Sequence, residues 1–311
     1  MRKTVKATGR YFFIINPSAN GGRVVKTWEE AEDYLKKQGV QFEFVFSRDA
    51  EHVSLLAKEA SSQGYTVVGV GGDGTISRIA SALKDTKTPF GIIPAGTGND
   101  FARSFNLPKN PIAACRVILQ GEIVDVDLGV FNGRSFCNII GAGLDAKVVN
   151  DANRTFKRFS GKFGYFFALL RQLILYRPGL IELEIDGQKH RVKGWLVSVA
   201  NGKYLGGGMK IASKADPADG LFDVIVVNEM PVLRFLYLFP LVYSGKHISL
   251  DVVQMWRGRH IIVRSNEPLL IQADGEIAGT TPFIIEVAAQ ALSLLVPKGY
   301  KETAPVAAKE M

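Results

Sequence analysis

The stretch Thr66–Thr75 reads TVVGVGGDGT. Thr66–Val70 is an apolar, β-branched run that ends on Gly71-Gly72, and Thr75–Leu83 continues with helical spacing. Apolar side chains at consecutive positions predict a strand buried on both faces, as in a parallel sheet. Glycines at its carboxyl end predict a turn where the backbone takes positive φ or comes close to a ligand. Outward from this unit the same alternation repeats. Tyr11–Ile15, Gln41–Phe46 and Phe90–Ile93 read as strands, and Val24–Lys37 and Glu51–Ser62 as helices. Strand following helix in this order predicts a parallel sheet with helices on both sides, a three-layer α/β domain.

After about residue 122 the pattern changes. Glu122–Phe131, Arg134–Ile140, Leu180–Ile185, Lys189–Ala200, Leu221–Val227, His260–Arg264, Leu269–Gln272 and Thr281–Val287 read as strands. Asp186-Gly187, Asp219-Gly220 and Asp274-Gly275 are turn signals between them. Many strands at short spacing predict an antiparallel β-sandwich, interrupted by helical stretches at Gly161–Tyr176 and Val232–Tyr243. The fold class is therefore α/β plus all-β, with residues 1–128 in the first unit and 129–291 in the second.

Composition bounds the function. The 311 residues are 47% hydrophobic and 22% charged, which excludes a disordered chain. Two cysteines, Cys115 and Cys137, exclude a disulfide scaffold or a Cys-rich zinc protein. The four histidines show no metal-binding spacing. The apolar stretches Phe163–Tyr176 and Phe235–Tyr243 fall short of the ~18 residues that a membrane-spanning helix needs, so a soluble, cytoplasmic protein is expected. The 38 basic against 30 acidic residues give +8, which admits nucleic acid, an anionic membrane face or phosphates as partners. No nucleic-acid-binding module is recognisable, so nucleic acid is not expected.

Three glycine-rich turns follow predicted strands: Asn16–Gly22 (NPSANGG), Gly71–Thr75 (GGDGT) and Gly96–Asp100 (GTGND). Open α/β sheets bind ligands at the carboxyl ends of their strands, and backbone N–H groups there suit phosphates. None of the turns is a P-loop or a G-x-G-x-x-G fingerprint. A lysine-free loop carrying an aspartate points to phosphates held by backbone and metal.

With these loops the chain resembles the diacylglycerol kinase catalytic superfamily, above all the bacterial soluble lipid kinases. GGDGT is shared with NAD kinases and 6-phosphofructokinases. The resemblance to lipid kinases extends through Asn138–Ala146 (NIIGAGLDA), Asn201–Ile211 (NGKYLGGGMKI), Asp216–Asp223 (DPADGLFD) and Asp274-Gly275-Glu276. It implies ATP and Mg²⁺ as cofactors and a lipid hydroxyl as acceptor, diacylglycerol foremost, giving phosphatidic acid. It assigns ATP to Asn16, Pro17, Ser18, Ala19, Asn20, Ser47, Gly72, Asp73, Gly74, Thr75, Ile76, Ser77, Arg78 and Thr97. Asp73, Asp100 and Asp127 would form the network holding the catalytic Mg²⁺. Asp216, Asp219 and the Leu221 carbonyl would hold a second, structural Mg²⁺. Asp274 is the leading candidate for the general base and Glu276 the alternative in the same turn. The resemblance also implies that residues 292–311 return to the first domain. Ser77-Arg78 departs from the Asn-Glu that usually follows GGDGT in relatives. An NAD kinase-like small-molecule kinase and a catalytically weak lipid-binding protein are the alternatives.

The basic, aromatic cluster Arg154–Phe159 before an apolar helix suits an anionic bilayer surface. Peripheral membrane contact is therefore expected, and oligomerisation is left open.

Overall fold

The computed structural model describes residues 9–155 and 162–300. The N-terminal half runs β1 (Tyr11–Ile15), α1 (Val24–Lys37), β2 (Phe42–Phe46), α2 (Ala50–Ser62), β3 (Thr66–Gly71), α3 (Asp73–Ala82), β4 (Pro89–Pro94), α4 (Asp100–Ser104), α5 (Pro111–Gln120) and β5 (Glu122–Phe131). Strands β4-β3-β1-β2 pair in parallel in that order. Every residue of β3 is buried, as its unbroken apolar pattern requires. Successive side chains alternate between faces. Val67 packs with residues of α2 and α3, whereas Val68 and Val70 pack with α1 and α5. Two helical layers thus sandwich the sheet.

The C-terminal half contains β6 (Arg134–Phe136), β7 (Ile139–Gly143), α6 (Leu144–Arg154), α7 (Lys162–Leu175), β8 (Gly179–Ile185), β9 (Gln188–Ala200) and β10 (Phe222–Asn228). It continues with α8 (Val232–Leu238), α9 (Leu241–Ser244), β11 (Val253–Gly258), β12 (His260–Ser265), β13 (Leu270–Ala273), β14 (Glu276–Thr280) and β15 (Phe283–Val296). The strands are mainly antiparallel and enclose a second core around Phe136, Trp195, Phe222 and Phe283. The β8–β9 hairpin turns on Asp186 and Gly187, both at positive φ (47° and 86°), as the Asp-Gly signal predicts.

Strands β5 and β15 serve both halves, and β5 also pairs with β6. The start of β15 pairs with β12, most of its length pairs antiparallel with β5, and Ser293–Leu294 pairs in parallel with β4. The chain therefore passes between the two halves along the paired strands β5 and β15 rather than through a linker. Among the described residues no helix is long and apolar enough to cross a membrane.

Three local features differ from the sequence reading. Arg134–Ile140 is not one strand; it divides into β6 and β7 because the N–H groups of Cys137 and Asn138 turn to the Asp274 carboxylate. Helix α6 and strands β11 and β14 form where the sequence carries no clear periodic signal. Strand β15 runs well past the predicted Val287. Most of the Arg154–Phe159 cluster lies outside the described residues.

Candidate active site

The GGDGT and GTGND turns meet at the carboxyl ends of β3 and β4. A side chain on Gly96 would come within 2.3 Å of the Gly72 Cα, so the two turns touch backbone to backbone. Asp73 opens α3, and its Oδ1 accepts the Phe101 N–H (3.1 Å) at the start of α4. Asp100 opens α4, and its Oδ2 accepts the Gly207 N–H (2.7 Å) from the glycine-rich loop of the second half. Gly98 lies between the carboxylates: a Cβ there would stand 2.8 Å from Asp73 Oδ2 and 3.5 Å from Asp100 Oδ2.

Both carboxyls are raised, and Asp73 contributes to the rise of Asp100. Burial raises the Asp73 carboxyl above its ordinary value. Burial, and then the charge of Asp73, push Asp100 up to about 6. Asp100 Oδ1 is buried and accepts no hydrogen bond; the Arg103 Nε stands 3.8 Å away. Two adjacent carboxylates with an unused inward oxygen fit a Mg²⁺ ion, which takes few protein carboxylates and keeps waters and phosphate oxygens.

Around this pair, Asn16 Nδ2 donates to Thr75 Oγ1 (3.0 Å), joining the first glycine-rich turn to the second. Asn16 Oδ1 accepts the Ser18 N–H, and Ala19–Gly22 forms a short 3₁₀ turn with Asn20 at positive φ. Ser47, at the end of β2, is buried, and its N–H donates to the Ile15 carbonyl. Thr97 lines the main cavity. The structure therefore gathers the Asn16–Asn20, Ser47, Gly72–Arg78 and Thr97 segments at the carboxyl edge of one sheet.

The Asp274-Gly275-Glu276 turn reaches α3 from the other half, and the structure separates its two acids. Asp274 Oδ1 accepts the N–H groups of Asn138 (2.8 Å) and Ile139 (3.1 Å). Its Oδ2 accepts the Cys137 N–H (2.7 Å) and the Ser77 hydroxyl (2.9 Å). Four donors occupy a carboxylate with about four acceptor sites, so Asp274 is a clamp between α3 and the β6–β7 junction. Burial raises its carboxyl, and these same donors act against that rise. Glu276, by contrast, is exposed and pairs with Arg78 at 3.1 Å. Ser77 and Arg78, where the sequence departs from the usual Asn-Glu, thus each bond one acid of this turn.

Asp127 is not part of the Asp73–Asp100 pair. Its carboxylate accepts the N–H groups of Gly220 and Gln290, both at 2.7 Å, and its own N–H donates to the Pro217 carbonyl. It sits beside Asp216 and Asp219, whose charges, after burial, help to raise it. The turn Asp216–Leu221 is itself satisfied from within. Asp216 Oδ1 accepts the Ala218 N–H, and Asp219 Oδ1 accepts the Leu221 N–H. Arg257 donates to Asp219 Oδ2 and, at 2.9 Å, to Asp223. A guanidinium already neutralises Asp219, so these residues as arranged do not fit the expected structural cation. Among the described residues no group of three or more His, Cys, Asp or Glu is placed to hold a metal.

Asp145 was missed by the sequence reading, although it lies inside the quoted NIIGAGLDA. It follows the β7–α6 turn, lines the main cavity, and is pushed up to about 6 by burial. Gln272 Nε2 donates to its Oδ2 (3.2 Å), while Oδ1 has no partner.

Two cavities converge here. One, of about 660 Å³, begins at Asp73, Gly74, Asp100 and Glu276 and runs into the second half between apolar walls such as Leu144, Leu169, Val227, Phe239 and Val252. The other, of about 580 Å³, is polar and basic, lined by Ser77, Arg78, Ser81, Lys84 and Arg134. Both open on Gly74, Asp274 and Glu276.

Residues 10–131 match the diacylglycerol kinase catalytic domain, and residues 138–296 match the YegS C-terminal NAD kinase beta sandwich-like domain. The chain belongs to the diacylglycerol kinase family of lipid kinases. The kinase is 35% identical over 298 residues to a diacylglycerol kinase of Mycobacterium tuberculosis strain H37Rv, covering 93% of this chain and 96% of that one. It is 27% identical to the diacylglycerol kinase of Staphylococcus carnosus, again over 93% and 96% of the two chains. A crystal structure from Bacillus anthracis superposes with a TM-score of 0.80 at 25% identity, covering 94% of this chain and 97% of that one. The kinase thus has the mixed α/β N-terminal domain and β-sandwich-like C-terminal domain that its sequence implied.

Proposed function

We propose that the kinase transfers the γ-phosphoryl group of ATP to the free hydroxyl of diacylglycerol, giving phosphatidic acid. The observation that carries this is a cavity that begins at the Asp73–Gly74 and Thr97–Asp100 turns and runs on between apolar walls, with Glu276 on its lining. An acyl-chain lipid suits the apolar walls, and the nucleotide phosphates suit the glycine-rich turns at the Asp73–Asp100 end. NAD has no apolar body to fill the larger cavity, which argues against a small-molecule kinase.

The nucleotide is held by the turns Asn16–Asn20 and Gly72–Arg78, with Ser47 and Thr97, through backbone N–H groups and hydroxyls. Mg²⁺, when bound at Asp73 and Asp100, neutralises charge on the phosphates. Both acids must be ionised to hold it. Glu276 takes the proton of the attacking hydroxyl, because its carboxylate is exposed at the junction of the cavities, whereas Asp274 has no free acceptor position. Asp274 is a positioning residue that fixes the turn carrying Glu276. Asp127 acts at a further remove, joining the Gly220 turn to β15. Asp145, with one unpartnered oxygen in the cavity wall, accepts a hydrogen bond from a polar group of the lipid head. Incubation with ATP, Mg²⁺ and a lipid panel tests the substrate: diacylglycerol is phosphorylated in preference to monoacylglycerol, sphingoid base and NAD. Preference for any of the others overturns the assignment.

A further inference from the structure

Helix α3 meets the Asp274-Gly275-Glu276 turn at two points of different character. Ser77 donates to Asp274, whose acceptor positions are all filled. Arg78 donates to Glu276, and both of these side chains are exposed, at 38% and 64%. A single nitrogen, Nη2, reaches the two carboxylate oxygens at 3.1 and 3.4 Å. That is longer than the ~2.7–2.9 Å of a strong charge-assisted bond. Glu276 also stands over the start of α3, where a Cβ on Gly74 would lie 3.7 Å from its Oε1. Gly74 and Arg78 are four residues apart, on one face of the helix, and both line the polar cavity together with Glu276. One carboxylate thus lies within reach of the backbone read as the phosphate site and of the Arg78 guanidinium.

We propose that Arg78 is a positioning residue that changes partner: it pairs with Glu276 while the nucleotide site is empty and passes to the phosphates when ATP binds, leaving Glu276 free to accept the proton of the lipid hydroxyl. The inference rests on reading Gly72–Arg78 as part of the phosphate site and Glu276 as the proton acceptor. A triphosphate beside Gly74 faces the Glu276 carboxylate at close range, and like charges repel. Arg78 is the basic residue that α3 itself supplies to relieve this. Lys84, which lines the same cavity beyond the end of α3, already pairs with Asp85 at 2.6 Å. A guanidinium presents five donors in a planar fork that matches phosphate oxygens. A triphosphate offers it several negative charges against the one of Glu276. The Ser77–Asp274 contact holds the turn in place meanwhile, so Glu276 is released by a side-chain rotation with no movement of the two halves. Proton acceptance is thereby linked to nucleotide binding, at the position where the sequence departs from the usual Glu.

Calorimetric titration of the full chain with Mg²⁺ and AMP-PNP, an ATP analogue that is not hydrolysed, reads the exchange without catalysis. Glu276→Gln frees Arg78 in advance and removes a negative charge. It should bind AMP-PNP about two- to fivefold more tightly than wild type, the range of an exposed ion pair. Arg78→Gln should bind it more weakly by a similar factor, and by a larger one in the Glu276→Gln background, where no pair is given up on binding. Arg78→Lys, which keeps the charge, should recover part of the loss. In kinase assays with diacylglycerol the loss in Arg78→Gln should fall on KM for ATP rather than on kcat, because Glu276 is free in the ATP complex of either enzyme. A Glu276→Gln enzyme that binds AMP-PNP no more tightly than wild type overturns the proposal. So does an Arg78→Gln enzyme whose loss falls on kcat with KM unchanged, which would make the pair a fixed hold on Glu276. Wild-type kcat in Glu276→Gln overturns the reading of Glu276 as proton acceptor, and it is seen apart from the exchange, which the titrations read.

Discussion

Asp274→Asn and Glu276→Gln should fail in opposite ways, although the residues are two apart in one turn. At Asp274 the amide keeps one oxygen, which still serves the Asn138 and Ile139 N–H groups. Its NH₂ then faces the Cys137 N–H, which loses its acceptor, while the Ser77 hydroxyl can rotate to accept. Leaving a buried donor unsatisfied costs about 1–3 kcal/mol, and loss of a charge-assisted bond adds to this, so a total of about 2–4 kcal/mol is expected. Glu276 is exposed and loses only its surface pair with Arg78, worth at most about 1 kcal/mol. Its removal as proton acceptor should nevertheless lower kcat by about 10²–10⁴. Urea unfolding and steady-state kinetics on both variants resolve the two effects. Asp274→Asn is strongly destabilised, and Glu276→Gln is as stable as wild type but nearly inactive. A Glu276→Gln enzyme with wild-type kcat, or an Asp274→Asn enzyme of unchanged stability, refutes the division of roles.

Further expectations concern charge and backbone. Because Asp100 titrates near 6 and must be ionised to hold Mg²⁺, kcat should fall as pH drops through about 6, and added Mg²⁺ should shift the fall to lower pH. Asp145 has a folded pKa raised from 3.8 to about 6, so its ionisation opposes folding: stability should decline as pH rises between those values, by up to about 3 kcal/mol, and Asp145→Asn should flatten that slope in denaturation curves. Gly98→Ala places a methyl 2.8 Å from Asp73 Oδ2 and should weaken the dependence of activity on Mg²⁺ while leaving the melting curve little changed. Arg257→Met strands two buried carboxylates, Asp219 and Asp223, and should destabilise the protein by about 3–5 kcal/mol, unless a divalent cation rescues it, which would show that the turn holds metal after all.

The α/β half was legible because its signals are local. Val67, Val68 and Val70 are apolar whichever face they meet, and each glycine turn lies directly after its strand. The elements that escaped have mixed environments. Among the described residues β14 pairs with β13 alone and is largely exposed, and α6 has one face on the core and another at the cavity. The candidate site was legible as a set of motifs but not as a geometry. GGDGT and GTGND come together because they end neighbouring strands. Which of Asp274 and Glu276 is free, and that Asp127 belongs with the Asp216–Asp219 turn, depend on backbone N–H groups far away in sequence, such as Cys137 and Gln290. The second cation implied by the family resemblance is opposed by Arg257, 38 residues after Asp219, a partner that no local pattern announces.

The most direct measurement is the fate of label from ATP carrying radioactive γ-phosphate, incubated with Mg²⁺, the kinase and vesicles containing diacylglycerol. Label should pass into phosphatidic acid with wild type and not with Glu276→Gln. Label recovered only in inorganic phosphate, in NADP, or in no product at all would contradict a lipid kinase acting through this site.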